Sequence, residues 1–83
     1  MTQRTYQQPS LYIDVGMLRG YLQYPKKNQK NIAKFLSRRS PERASLVLSK
    51  AAQSIPKQWP EMTLRMQKNL LEDAKVYRDG GAP

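Results

Sequence analysis

The chain contains no cysteine and no histidine among its 83 residues. Without Cys it has neither a disulfide nor a thiolate ligand, and without His it lacks the commonest metal ligand and the side chain that titrates nearest neutral pH. A structural zinc site is thereby excluded, and no metal or cofactor is expected. Acidic residues are also scarce, six Asp and Glu against fifteen Lys and Arg. Those six are scattered, no Ser has a base of suitable pKa close by in sequence, and no glycine-rich loop followed by Lys and Ser or Thr is present to hold phosphates. Catalysis has no foothold, and the protein is expected not to be an enzyme. No apolar run approaches the ~20 residues that cross a bilayer, and MTQRTYQQPS lacks the hydrophobic region of a signal peptide. The expected location is cytoplasmic.

What is present is positive charge, and it is segregated. The formal net charge is +9. Residues 1 to 58 hold eleven Lys or Arg against Asp14 and Glu42 alone, whereas residues 59 to 83 balance four basic residues (Arg65, Lys68, Lys75, Arg78) with four acids (Glu61, Glu72, Asp73, Asp79). Solubility would be served by charge of either sign spread anywhere. A one-sided basic region predicts a polyanionic partner.

A chain of 83 residues supports one domain with one small core. Residues 1 to 9 are polar and predict a flexible N-terminal arm, and the helical domain is expected over residues 10 to 79. From Ser10, a plausible N-cap, Leu11, Val15, Leu18 and Leu22 recur at steps of 4, 3 and 4, a helical stripe. A competing alternation, Leu11, Ile13, Val15 and Met17, fits a strand. The helix is preferred because Leu18 and Leu22 extend only the helical template and no other segment offers a strand to pair with, although two copies could pair with each other. Tyr24 precedes Pro25 and is pushed out of the helical region, so this element should end near Gln23.

A second helix is expected over Lys27 to Arg38, with Ile32, Phe35 and Leu36 opposite a row of Lys27, Lys30, Lys34 and Arg38. Ser40, Pro41 and Glu42 then give a clear boundary, Ser at the N-cap and Pro at the first helical position. The third helix that follows places Ala44, Val47, Leu48, Ala51, Ala52 and Ile55 on one face. Pro56 and Pro60 bracket a turn. Trp59 is expected to fold onto Leu64 as a hydrophobic staple of a fourth helix from about Glu61 to Arg78, burying Met62, Met66, Leu70, Ala74 and Tyr77. The core is expected to draw on Ile32, Phe35, Leu36, Val47, Leu48, Ala51, Trp59 and Leu70. Gly80 to Pro83 should stop the last helix and leave residues 80 to 83 as a frayed tail. The predicted fold is all-α, a compact single-domain bundle of about four short helices.

The stretch from Lys26 to Arg43 holds seven of the fifteen basic side chains against one acid, Glu42. Lys and Arg on a helix face neutralise phosphates irrespective of base sequence, and Asn31 beside them can donate to phosphate or read a base edge. The expected function is nucleic-acid binding, DNA in preference to RNA, by a small regulator. The contact set is Lys26, Lys27, Lys30, Asn31, Lys34, Arg38, Arg39 and Arg43. A helix-turn-helix alignment started at Gln29 puts Ile32, Ala33 and Leu36 at suitable positions. It also puts Ser37 at the usual turn glycine and Arg38 and Arg43 where buried apolar residues belong, so that motif is not assigned. The alternative is a protein-interaction module whose basic face docks on an acidic partner protein and regulates it. A membrane surface is disfavoured, because the basic helix lacks the wide apolar face that insertion needs. A homodimer is open, with Gly16 and Gly20 or the third helix as its interface.

Overall fold

The computed structural model of the chain describes residues 11–59 and 62–80, and within them the fold is all-α with four helices and no strand. These are α1 (Leu11–Leu22), α2 (Gln29–Ser37), α3 (Pro41–Gln53) and α4 (Leu64–Arg78). The arm over residues 1 to 9, the Ser10 cap and residues 81 to 83 of the tail lie outside the described residues.

In α1 the helical template wins over the alternating one. Leu18 and Leu22 are fully buried, and Leu11 and Val15 pack against the core, while Ile13 and Met17, which a strand would have placed beside Leu11 and Val15, face outward. The helix ends at Leu22, two residues before the Tyr24-Pro25 step, and Tyr24 N donates to Tyr21 O at 3.1 Å in the turn that follows.

The second helix begins later than its charge pattern predicts. Asn28 stands at the N-cap position of α2 but does not cap with its side chain. Its Nδ2 donates instead to the carbonyls of Tyr21 and Tyr24, at 3.2 and 3.1 Å, adding a second bond to each beside those from Tyr24 N and Asn28 N. That bridge holds Lys26 and Lys27 in the connecting turn, ahead of the helix on which Lys27 was expected.

The boundary at Ser40 is as the sequence implies. Ser40 Oγ accepts from Arg43 N at 3.1 Å, Pro41 opens the helix, and α3 buries Ala44, Val47, Leu48 and Ala51, with Ala52 partly covered; the helix ends at Gln53, so Ile55, expected on its face, lies beyond it and packs partly covered against the core.

The start of α4 is corrected by three residues. Thr63 is its N-cap, with Oγ1 accepting from Met66 N at 3.1 Å, and the helix begins at Leu64; the expected start at Glu61 lies outside the described residues. This shift also removes the expected staple. A staple joins the residue before the cap to the fourth helical position. With the cap at Thr63 the residue before it is Met62, which is buried, and Leu64 becomes the first helical residue and is 81% exposed. Trp59 is only half-buried and stands outside the core, its ring facing the Arg19 guanidinium at 5.7 Å. At the far end Gly80 adopts φ +92, the left-handed conformation that terminates a helix.

The main packing is between helices not adjacent in sequence, α2 against α4 and α1 against α3. Between these pairs lies one core of Leu18, Leu22, Ile32, Phe35, Leu36, Ala44, Val47, Leu48, Ala51, Met62, Leu70 and Ala74. Seven of the eight residues expected in the core are buried, the exception being Trp59. No helix among the described residues is long and apolar enough to cross a membrane.

Candidate nucleic-acid interface

The basic face is built on α2. Ile32, Ala33, Phe35 and Leu36 turn inward and are buried, which forces the intervening Lys30, Asn31 and Lys34 to the surface. Lys26 and Lys27 are exposed in the turn before the helix, and Arg38 is exposed at its C-cap. Among the described residues none of these five cations makes a salt bridge. Lys34 Nζ stands 5.9 Å over the Tyr77 ring of α4, a cation–π contact that leaves its donors available.

Arg39 and Arg43 are differently placed, and their surroundings separate them from the exposed set. Arg39 Nε and Nη2 donate to Oδ2 and Oδ1 of Asp14 at 2.8 and 2.6 Å, a two-pronged pair, and its guanidinium lies 4.3 Å over the Phe35 ring. Arg43 Nε adds a third bond to Asp14 Oδ2 at 3.2 Å. Asp14 is 5% exposed, so its carboxylate is removed from water and is sustained by these three donors. The cluster fastens α1 to the α2–α3 turn. A second fastening comes from Arg78 at the end of α4, whose Nε and Nη2 donate to the carbonyls of Arg39 and Leu36 at 3.1 and 3.2 Å, satisfying the open end of α2.

The hydrogen bond from Arg39 is the largest cause holding the Asp14 carboxyl below its usual value, with the nearby charges of Arg39 and Arg43 adding to it against the opposing effect of burial. The same bond raises the affinity of Arg39 for its proton. A carboxyl whose pKa is depressed by folding stabilises the fold above its unfolded value, near 3.8, and the contribution is lost as pH falls below that through the folded value. Stability measured by denaturant unfolding is therefore expected to drop as pH falls below about 4 more steeply in the native chain than in Asp14→Asn, which has no charge to lose. Equal slopes in that window would show that the cluster contributes nothing.

Asp14 was not singled out in the sequence, yet a signal existed. It borders the inward stripe formed by Leu11, Val15, Leu18 and Leu22, about 40° from Leu18 on the helical wheel, and it is one of only two acids among residues 1 to 58 against eleven cations. A carboxylate on a buried face needs a cationic partner. The partners lie 25 and 29 residues away, and nothing local identifies them.

No protein-family model matches the chain, and no curated protein or solved structure matches it either.

Proposed function

We propose that the protein binds nucleic acid, duplex DNA in preference to RNA, through the exposed face of α2 and the turn before it. The observation that carries this reading is the set Lys26, Lys27, Lys30, Lys34 and Arg38: five exposed cations around one short helix, with no salt bridge among the described residues. Structural use of charge takes a different form in this chain, as the buried Asp14 cluster illustrates. Arg39 and Arg43 are paired with Asp14, and these five make no such pair among the described residues. Asn31 lies exposed among them as a neutral donor and acceptor. In this reading Arg39 and Arg43 fix the orientation of α2 and leave the phosphate contacts to the exposed five.

Neutralising a phosphate releases condensed counterions, so affinity depends on salt. With four to five phosphate contacts the log-log slope on duplex DNA should be about −4, at ~0.9 per phosphate. A fluorescence-anisotropy titration from low to moderate salt measures it. A slope near zero, or no binding to duplex, single-stranded or structured RNA probes at low salt, defeats the reading. Capture of an acidic protein through the same lysines in that case would favour the interaction-module alternative.

A further inference from the structure

We infer that the turn between α3 and α4 forms a small-molecule site whose ligand is an organic anion with a flat apolar body. The site is a cavity of about 520 Å³ lined by Ala52, Ile55, Pro56, Lys57, Trp59 and Met62. Ligand pockets run to roughly 300–1,000 Å³ and are walled mainly by apolar and aromatic side chains with a few polar groups. This lining matches, with Lys57 as its polar member. Backbone geometry holds it open. Trp59 N donates to Pro56 O at 3.0 Å, closing a turn that sets Pro56 and Trp59 at its two ends. Met62 is buried, and Ala52 and Ile55 pack partly covered against the core, so one side of the cavity is anchored in the fold. Packing on α4 does not account for Trp59, because the staple position before the Thr63 cap belongs to Met62.

Charge selects the class of ligand. Lys57 is exposed on the turn, and no acid lines the cavity among the described residues. A second cation adjoins it, since the Arg19 guanidinium of α1 stands 5.7 Å from the centre of the Trp59 ring. Arg19 Nε is buried and has no hydrogen-bond partner. Buried donors are nearly always paired, so an orphaned one marks a place for an acceptor from outside the chain. Arg39 and Arg43 have Asp14, and Arg19 makes no such pair among the described residues. An anionic head seated on Lys57 and turned toward Arg19 would serve both cations while its apolar body stacks on Trp59. The site needs no nucleic acid and stands or falls separately from the binding face on α2.

The chain has one tryptophan, so the site carries its own reporter. The probe is 1-anilinonaphthalene-8-sulfonate, compared with N-phenyl-1-naphthylamine, which has the same rings and no sulfonate. The folded chain should bind the sulfonate at one site below ~100 μM, with energy transfer from Trp59, and at least ~10-fold tighter than the neutral probe. Lys57→Glu and Arg19→Gln should each weaken the sulfonate at least ~10-fold, and Lys57→Glu should leave the neutral probe within about 2-fold. Lys34→Glu makes the same charge change as Lys57→Glu on α2 and should alter neither. A sulfonate bound no tighter than the neutral probe overturns the inference. So does equal loss in Lys34→Glu and Lys57→Glu, which would put the anion on the α2 face, or binding at several equivalent sites, as loosely packed chains show. Glu61 follows Trp59 by two positions and lies outside the described residues. A preference for the anion that appears only in Glu61→Gln also overturns the inference, because the chain would then supply the carboxylate itself.

Discussion

Replacing Lys30 and Lys34 together by Glu is expected to weaken duplex binding by about 100-fold or more while the fold survives. Charge-assisted hydrogen bonds are worth roughly 1.5–3 kcal/mol each, so losing two removes about 3–6 kcal/mol, and each 1.4 kcal/mol is about tenfold in affinity. The new carboxylates add repulsion from phosphate. The fold should tolerate the change because both side chains project outward, opposite Ile32, Phe35 and Leu36, and neither makes a salt bridge among the described residues. Lys34 gives up only its contact with the Tyr77 ring, an exposed cation–π pair worth about 0.5–1 kcal/mol.

The matched control is Lys68 and Lys75 to Glu on α4. Both are exposed, and on the helical wheel both fall about 160–180° from Tyr77, the residue of α4 that reaches Lys34. The net charge changes identically in the two variants, so any effect of bulk charge is common to them. Loss confined to the α2 variant assigns binding to that face. Equal loss in both would mean that the segregation of charge along the chain is irrelevant to the site.

How far the sequence could be read depended on whether the deciding interaction was local. Ser40-Pro41-Glu42 is a complete local signal, and the stripe Ala44, Val47, Leu48, Ala51 needs only helical spacing, so the start of α3 was legible to the residue, although the stripe carried on to Ile55, two residues past its end. The start of α4 was not, because Pro60 and Thr63 both offer a helix beginning three residues apart, and the choice of Thr63 depends on Met62 being buried against other helices. The displacement of Lys27 from α2 has a similar origin, since Asn28 spends its side chain on Tyr21 and Tyr24 of the preceding element. The exposure of Lys30, Lys34 and Arg38 was legible because they lie opposite an apolar stripe. The distinction between them and Arg39 or Arg43 was not, because it rests on Asp14 in a different helix.

Leu48→Ala should cost about 2–5 kcal/mol of folding stability. Leu48 is fully buried on α3, in the core shared with Leu18 and Leu22 of α1, Ile32 and Leu36 of α2 and Leu70 of α4. The truncation loses about 0.8 kcal/mol for each buried methylene-sized group and adds the cost of a cavity that the surrounding helices fill only in part. A domain of this length holds roughly 4–12 kcal/mol in all, at ~0.05–0.15 kcal/mol per residue, so one truncation removes a large share. Leu46→Ala provides the comparison on the same helix. Leu46 is 45% exposed on the flank of α3, leaves no enclosed cavity, and should cost under about 1 kcal/mol. Chemical denaturation of the two variants measures the difference between a position that closes the core and one that borders it. A Leu48→Ala loss no larger than that of Leu46→Ala would place the core elsewhere. The core also holds α2 in position beneath its lysines, so Leu48→Ala should lower DNA affinity only where part of the chain is unfolded, and affinity corrected for the folded fraction should match the native protein.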